Sequence, residues 1–432
     1  MLSDSRSPLG NAETVPSTAT AREAQSVRVS FADRSLLRMF LHALGSPAIH
    51  FVLWNGEYVS SPAKEPIAKV HIADRRTLWR LVLDSELEFG DAYTDGRLQV
   101  NGDLIQLLEA VHRAPAPSWA NRLLRRARRP RKNSVSGSRQ NIHHHYDIGN
   151  DFYRLWLDEQ LLYTCAYFPT PTASIEAAQV AKMDLVCRKV GLRPGQRVIE
   201  AGCGWGALAL HMARHYGVSV RAFNISHEQI AYARERARAE GLAERVEFME
   251  DDYRNASGKY DAFVSVGMLE HVGVEHYREL GAVIDRCLPA HGRGFIHSIG
   301  RNHRARLNSW IERRIFPGAY PPTLREMMTI LEPYRFSVLD VENLRLHYAA
   351  TLRHWLVRFE NAADRVASMF DERFVRAWRL YLAGSVAAFS SGSLQLFQVS
   401  FARPQDNEIP WTRAHLYQRD GGNHGTLNLP GL

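Results

Sequence analysis

The chain has 432 residues, of which 45% are hydrophobic and 23% are charged, a composition typical of a soluble globular protein with room for two domains. The formal net charge of +8 favours an anionic partner, such as a membrane surface, a nucleic acid or a phosphorylated substrate. Four cysteines without C-x-x-C spacing argue against a disulfide framework or a zinc site and favour a reducing cytoplasm. The sequence shows neither the run of about 20 apolar residues that a membrane-spanning helix needs nor a signal-peptide pattern.

The N-terminal part of the chain is predicted to contain a tail and a small domain. Residues 1–26 are rich in Ser, Thr and Ala, so we expect them to be disordered. Residues 27–113 are expected to form a small α+β domain, because a helical apolar pattern precedes a hairpin signal, Asn55-Gly56, between two apolar segments. This domain shows no catalytic constellation. Packing is its simplest role, and lipid presentation or formation of a homodimer is a hypothesis.

Residues 114–140 are predicted to be a linker, because a Pro-rich break is followed by a run of basic residues. The run could be solvated, or it could contact anionic lipid, where each basic side chain contributes about 1 kcal/mol. Nucleic acid is disfavoured because no aromatic side chains are interleaved for base stacking. The run contains Arg122, Arg125, Arg126, Arg128, Arg129, Arg131 and Lys132.

An aromatic and polar segment follows the linker. His143–His145 suggest a metal site, but neighbouring residues of an extended chain point to opposite sides and no acid or cysteine has ligand spacing, so we predict no metal. Residues 163–168, YTCAYF, are predicted either to line a pocket or to belong to an ordinary aromatic core. Residues 174–190 have the pattern of an amphipathic helix.

A glycine-rich turn after the next apolar strand is the main candidate for a cofactor site. Residues 197–206, RVIEAGCGWG, predict a strand, a tight turn and the start of a helix. The spacing G-x-G-x-G differs from the G-x-G-x-x-G of dinucleotide-binding folds. An acid at the strand end, Glu200, and room over Gly202 and Gly204 suit a cationic cofactor better than a pyrophosphate. We therefore favour S-adenosylmethionine (SAM) over NAD, although a glycine turn by itself is compatible with any α/β domain.

Strands then alternate with helices, which predicts an open parallel sheet with its ligands beyond the carboxyl ends of the strands. Asn224 and Gln229 stand where dinucleotide-binding enzymes place an acid for the ribose, and either amide could bind ribose hydroxyls. By strand counting, Glu200, Glu270 and His297 all lie at this edge of the sheet. A lone strand-end histidine is more often structural than catalytic.

Several co-linear segments together carry a family resemblance. HHHYDIGND, LLYTCAYF, EAGCGWG, FNISHEQ, EDDYRN and GMLEHVG closely resemble the cyclopropane-fatty-acyl-phospholipid synthases and mycolic acid cyclopropane synthases. The resemblance implies a SAM-dependent methyltransferase that adds a methylene across a lipid double bond. It also implies a Rossmann-like open sheet over residues 141–410. Residues 301–345 are expected to be a helical substrate-side insert, and the Gly- and Asn-rich residues 411–432 a flexible tail.

The resemblance assigns roles to individual residues. For the cofactor these are Tyr146, Tyr163, Glu200, Gly202, Gly204, Asn224, Gln229, Asp252 and Tyr253. For a catalytic bicarbonate ion they are Cys165, Glu270, His297, the backbone of Ile299 and Tyr348. Glu200 and Asn224 depart from the Asp and Thr found in many members.

These residue types suit the implied chemistry. A cation formed on the acyl chain requires a dry pocket and is stabilised by aromatic faces, and the bicarbonate would remove a proton from the added methyl. The resulting expectation is a cytoplasmic enzyme, peripheral on the inner face of the cytoplasmic membrane, that acts on unsaturated phospholipid. A related methyltransferase that leaves a methyl or methylene branch, and a non-catalytic lipid-binding protein, are the alternatives.

Overall fold

The computed structural model describes residues 28–60, 65–114 and 148–417. Several predictions concern residues outside these ranges. They are the disordered tail of residues 1–26, the basic run, His143–His145, Tyr146 and the end of the C-terminal tail.

The N-terminal unit is a four-stranded sheet, in the order β2-β1-β3-β4, packed against helices. The predicted hairpin is confirmed, since β1 and β2 are antiparallel and Gly56 takes the positive φ of the turn between them. Helices α3 and α4 and strand β4 were not predicted individually from the sequence. The bounds are α1 Phe31–Ala43, β1 Ile49–Val52, β2 Tyr58–Ser60, β3 Ala68–Ile72, α2 Arg75–Leu83, α3 Ser85–Thr94, β4 Leu98–Gly102 and α4 Leu104–Arg113.

The second sheet has seven strands in the order β10-β11-β9-β8-β5-β6-β7. Strands β5 to β9 are parallel to one another, as predicted. The last two strands run antiparallel, β11 against β9 and β10 against β11. The bounds are β5 Arg197–Ala201, β6 Ser219–Asn224, β7 Val246–Glu250, β8 Ala262–Val266, β9 Arg293–Gly300, β10 Ser337–Asn343 and β11 Gln395–Ala402. The predicted α/β class with an open, mostly parallel sheet is confirmed.

Helices cover the second sheet and its carboxyl edge. The aromatic segment after residue 149 forms a helix of only one turn, whereas the predicted amphipathic helix of residues 174–190 is confirmed. The bounds are α5 Asn150–Tyr153, α6 Ile175–Val190, α7 Ala207–Tyr216, α8 His227–Ala239, α9 Tyr277–Cys287, α10 Leu324–Leu331, α11 Arg345–Asn361, α12 Ala363–Met369 and α13 Glu372–Ser391.

The stretch of residues 301–345 is not wholly an insert. It includes β10, which extends the main sheet and forms its edge. None of its side chains is fully buried, and the strand lacks the continuous apolar run that marks the buried strands. The buried amine of Lys189 on α6 lies 2.6 Å from Glu342 and 3.3 Å from Asp340, which ties this edge strand to a helix of the sheet.

The N-terminal unit and the helical part of the second unit share one buried apolar cluster. It runs from Leu78 on α2 and Leu98 on β4 to Trp156 after α5, Trp355 on α11 and Trp378 on α13. Ion pairs complete the contact, such as that between Arg314 and Asp91 at 2.8 Å. Helix α13 of this cluster packs on α3 and α4 of the N-terminal unit, and α11 packs on α13.

Across the three described ranges, no helix combines the length and the apolar character required to cross a membrane.

Candidate active site

The glycine turn after β5 leaves one open space beside the backbone. Gly202, Gly204 and Gly206 all have positive φ, at 84°, 53° and 85°. A Cβ at Gly202 would lie 2.9 Å from Met268 Cβ, and one at Gly206 would lie 2.6 Å from Phe248 Cζ. A Cβ at Gly204 would meet nothing within 4 Å. Gly202 and Gly206 thus allow close packing, whereas Gly204 borders free space that a ligand can fill.

Glu200 lies directly before this turn and is almost completely buried, at 2% exposure. Its Oε2 atom has no hydrogen-bond partner among the described residues. Burial raises the pKa of the Glu200 carboxyl to about 8, and the charge of Lys182 opposes this shift. A buried carboxyl without a donor is a costly feature for a fold alone, so Glu200 is well suited to receive a cationic ligand.

Asn224 and Gln229 lie beside the same turn. The Asn224 amide donates to Gln229 Oε1 at 2.7 Å and to the carbonyl of Gly204 at 3.3 Å. The Ser226 hydroxyl caps helix α8 by accepting a hydrogen bond from the backbone amide of Gln229. This cap fixes the start of the helix, so that Gln229 lies close to the glycine turn. The structure therefore brings the glycine turn after β5 together with Asn224 and Gln229, which were predicted at the end of β6.

The third strand end carries Asp252 and Tyr253. The Asp252 carboxylate accepts hydrogen bonds from Arg254 at 2.8 and 2.6 Å, and burial raises the pKa of the Tyr253 hydroxyl. Both residues lie at the carboxyl edge of the sheet, beyond β7. Their predicted roles in cofactor binding stay predictions.

Glu270 follows β8 in a short helical turn and is 6% exposed. Its Oε1 accepts from the backbone amide of Ile299 at 2.6 Å, so the Ile299 N–H predicted to bind an anion is directed at Glu270 here. The other oxygen, Oε2, has no hydrogen-bond partner within the described ranges. Burial raises the pKa of the Glu270 carboxyl to about 7, so the group changes charge near neutral pH.

His297 lies on β9, level with the end of β8, because its register partner is Val266. It is 1% exposed, and the amide of Gln398 on β11 lies 3.1 Å from its Nδ1. Burial holds the pKa of His297 well below its usual range, so the ring is neutral. Nε2 is buried without a partner in the part of the chain that the structure describes.

Cys165, Tyr163 and Tyr348 face this edge from the helical side. Cys165 is fully buried and its Sγ lies 4.0 Å from the carbonyl of Leu344, just before α11. Burial raises the pKa of the Cys165 thiol far above its usual value, so it is a thiol and not a thiolate. Tyr163 exchanges a hydrogen bond with Tyr381 of α13 at 2.7 Å. Tyr348 packs on Phe389, with ring centroids 4.6 Å apart.

A chain of contacts links the two sides of the site. The Leu344 amide donates to the carbonyl of Leu396, and Leu396 is the register partner of Ile299. Closer to Cys165, a Cβ on Gly267 would lie 2.8 Å from the Thr164 methyl, while the Gly267 amide donates to the carbonyl of His297. These contacts bring the segments that carry the predicted anion ligands together around the ends of β8 and β9. Their catalytic roles stay predictions.

The sequence analysis missed several residues of this site. Lys182 is fully buried beside Thr164, and Thr351 accepts from the Ala166 amide at 3.0 Å. The signal for Lys182 was available, because Ala178, Lys182 and Val186 recur every fourth residue on the apolar face of α6. A lysine within such a stripe marks a buried charge.

A family model described as mycolic acid cyclopropane synthetase matches residues 133–399. A probable fatty acid methyltransferase from Pseudomonas putida is 34% identical over 378 residues, which cover 85% of this chain and 95% of the relative. The cyclopropane-fatty-acyl-phospholipid synthase of Escherichia coli K12 is 40% identical over 266 residues, covering 61% and 68%.

Among solved structures, the mycolic acid cyclopropane synthase CmaA1 complexed with SAH and CTAB is similar to this chain. The TM-score is 0.58 at 28% identity, with 61% of this chain and 98% of that chain covered. These findings confirm the family predicted from the sequence motifs. The chain therefore belongs to the mycolic acid cyclopropane synthetase family, the family of SAM-dependent cyclopropane synthases and fatty acid methyltransferases.

Proposed function

We propose that this protein is a cyclopropane synthase that adds a methylene, derived from SAM, to the cis double bond of an unsaturated phospholipid acyl chain. One observation carries the proposal. Two polar atoms, Glu270 Oε2 and His297 Nε2, are buried without partners in the described chain, next to an aromatic cluster and beside the glycine turn. Because buried polar atoms are normally paired, this arrangement suits a small polar ligand that both residues bind.

The residues around the glycine turn fit SAM. The free space at Gly204 gives room for the nucleoside, the amides of Asn224 and Gln229 offer partners for ribose hydroxyls, and Glu200 offers a buried carboxylate to a cation. When bound there, SAM supplies an electrophilic methyl carbon. The family relatives, including the CmaA1 complex with SAH, support this cofactor.

The residues at the ends of β8 and β9 fit bicarbonate. A neutral His297 whose Nδ1 accepts from Gln398 carries its proton on Nε2, so it can donate to an anion. The ionised Glu270 can accept the O–H of the anion, and the Cys165 thiol and the Tyr348 hydroxyl are further candidate donors. When bound there, bicarbonate supplies a proton acceptor. Glu270 then orients that acceptor and is not itself the base.

The aromatic cluster would exclude water and stabilise positive charge. Transfer of a methyl group to an alkene leaves a cation on the acyl chain, which water would quench. Tyr163 lies 5.4 Å from Trp355 and 5.2 Å from Trp156 by ring centroids, and Tyr348 lies 6.1 Å from Trp355. Desolvated aromatic faces of this kind stabilise a cation by about 2 kcal/mol. Such a cluster of largely buried rings suits a site that keeps an acyl chain away from water.

A fatty acid methyltransferase that leaves a methyl or methylene branch is the second candidate. The Pseudomonas putida relative, a probable fatty acid methyltransferase that matches 85% of this chain, favours it. A methyl branch requires a hydride donor, whereas a ring requires only loss of a proton from the added methyl. The buried, unpartnered set of Glu270 and His297 supports a site built for proton removal.

We further propose that the protein works at an anionic membrane surface, because of its net charge of +8 and because phospholipids reside there. The test uses purified protein, SAM and vesicles of an anionic, cis-monounsaturated phospholipid, with products measured by mass spectrometry. We expect a gain of one CH2 per converted acyl chain, and a rate that falls as salt screens the surface. Vesicles with the same head group and saturated chains are the control. No gain on the unsaturated vesicles, or an equal gain on the saturated ones, would contradict the proposal.

A further inference from the structure

Helix α3 of the N-terminal unit carries a buried glycine, Gly90, in its middle. Alanine is the more favourable residue inside a helix, so the reason for the glycine lies in the packing. A Cβ built on Gly90 would lie 2.5 Å from Cδ2 of Trp310 and closer still to Cγ, so the indole ring rests directly on the helix backbone. Trp310 belongs to the second unit and is 3% exposed. The missing side chain of Gly90 therefore forms a seat for this ring.

Two more contacts hold the same segment on α3. The Ser309 amide donates a hydrogen bond to the Glu86 carboxylate at 3.1 Å, and the Arg314 guanidinium donates two to the Asp91 carboxylate, at 3.0 and 2.8 Å. Residues 311–315 form a π-helix, an uncommon element that often occurs at functional sites. The indole is thus the buried centre of a contact with polar anchors on both sides.

This segment is the tip of a loop, residues 301–323, that begins where β9 ends. The Arg301 amide donates to the carbonyl of Pro322 at 2.8 Å, and Arg301 also forms a β-bridge with Thr323. These contacts close the base of the loop directly after β9, the strand that carries His297. The loop therefore starts beside the proposed anion site and reaches the N-terminal unit at its tip.

The returning half of the loop contacts the candidate active site. The ring of Phe316 lies 5.5 Å from that of Tyr381 by centroids, and Tyr381 shares a hydrogen bond with Tyr163 of the aromatic cluster. Further along the loop, the Tyr320 amide donates to the carbonyl of Glu270 at 2.8 Å. The position of the loop thus acts directly on the backbone of Glu270 and on the side chains beside Tyr163.

We propose that the N-terminal unit positions the 301–323 loop for catalysis, with Gly90 and Trp310 as the anchoring pair. The inference rests on the proposed roles of Glu270 and of the aromatic cluster. Only a short helical stretch separates the indole from the residues that contact the site, so a displaced ring shifts those contacts. Both members of the pair are positioning residues, since they act on the site through the loop. The N-terminal unit then contributes to turnover and not only to packing.

The experiment replaces Gly90 by alanine in the full-length protein. Alanine favours the helix, but its methyl group would overlap the indole and push the loop off its seat. We expect turnover on unsaturated phospholipid vesicles at saturating SAM to fall about tenfold or more, because a misplacement of about 1 Å can cost about 10²-fold. SAM affinity, measured by calorimetry, and vesicle binding, measured by cosedimentation, should equal those of the wild type.

A double-mutant cycle tests the pairing itself. Trp310→Leu lowers turnover by loosening the loop, and it also removes the ring that an added methyl would strike. Gly90→Ala should therefore cause no further loss in the Trp310→Leu background. Gly384→Ala is the matched control, since Gly384 lies on α13 at the same contact between the units. A Cβ there would meet Leu108 of α4 at an ordinary 3.9 Å, so this variant should keep full turnover.

Folding and positioning are separated by a milder variant. Arg314→Gln breaks the partly exposed ion pair with Asp91, so its melting temperature should stay close to that of the wild type, while turnover should fall a few-fold. Wild-type turnover in Gly90→Ala, or in Arg314→Gln should the first variant not fold, would overturn the inference alone. So would an equal loss from Gly90→Ala in both backgrounds, or weaker vesicle binding that accounts for the lost turnover. A wild type that modifies no unsaturated vesicles would overturn the proposed function as well.

Discussion

Replacing Glu270 by glutamine is expected to reduce turnover by about 10²-fold to 10⁴-fold, the range for a group that assists proton transfer, without weakening SAM binding. Glutamine keeps an oxygen for the Ile299 amide, which donates to Glu270 Oε1 at 2.6 Å, so the local backbone is retained. It replaces the buried, unpartnered Oε2 by a donor, which cannot accept the O–H of the anion. Single-turnover rates at saturating SAM, with SAM affinity measured by calorimetry, check the prediction.

The pH dependence gives an independent readout of the same group. Burial raises the pKa of Glu270 to about 7, and the ionised form is the one that accepts a hydrogen bond from the O–H of the proposed anion. Turnover in the wild type should therefore rise as the pH increases through about 7, and this limb should be absent in Glu270→Gln. Glu88→Gln is the matched control, since Glu88 is equally buried at 6% but pairs with Arg80 in the N-terminal unit. Unchanged turnover in Glu270→Gln would refute the assignment.

Replacing Gly204 by valine is expected to weaken SAM binding by about a hundredfold or more, or roughly 2.7 kcal/mol. The position has φ 53° and open space where its Cβ would lie, so the new side chain would occupy the space assigned to the cofactor. Valine is also strained at positive φ, by about 1–2 kcal/mol. Calorimetric titration with SAM and a thermal unfolding curve separate the two effects.

Gly241→Val is the matched control for that strain. Gly241 follows helix α8, has φ 68° and likewise has nothing within 4 Å of a Cβ. Both variants should therefore unfold at lower temperature by a similar amount, but only Gly204→Val should lose SAM affinity. Equal SAM affinity in the two variants would show that the space beside Gly204 is not where the cofactor binds.

The sequence was sufficient to predict the main sheet and part of the site. Buried parallel strands such as β5 and β8 have continuous apolar runs, and the glycines after β5 mark the turn. Because parallel strands end at one edge, counting strands placed Glu200, Glu270 and His297 together. Strand β10 was missed for two reasons. None of its residues is fully buried, so it has no continuous apolar run, and it lies within residues 301–345, which were interpreted as an insert.

Contacts across long sequence distances were beyond this reasoning. Tyr163 and Tyr381 are 218 residues apart and share a hydrogen bond, and nothing local to either residue indicates the pairing. Cys165 and Tyr348 were identified by family resemblance and not by periodicity. Lys182 was missed for a different reason. It lies within the apolar stripe of α6, which is visible in the sequence, but it was not interpreted as a buried lysine.

We propose that the site removes a proton from the methyl group that it transfers. The most direct test supplies SAM with a fully deuterated methyl group to the purified protein and unsaturated phospholipid vesicles, and counts the deuterium atoms in each product chain. We expect two of the three deuterium atoms to be retained in a product that resists hydrogenation, as a cyclopropane does and a methylene branch does not. Retention of all three would show a methyl branch and contradict the account.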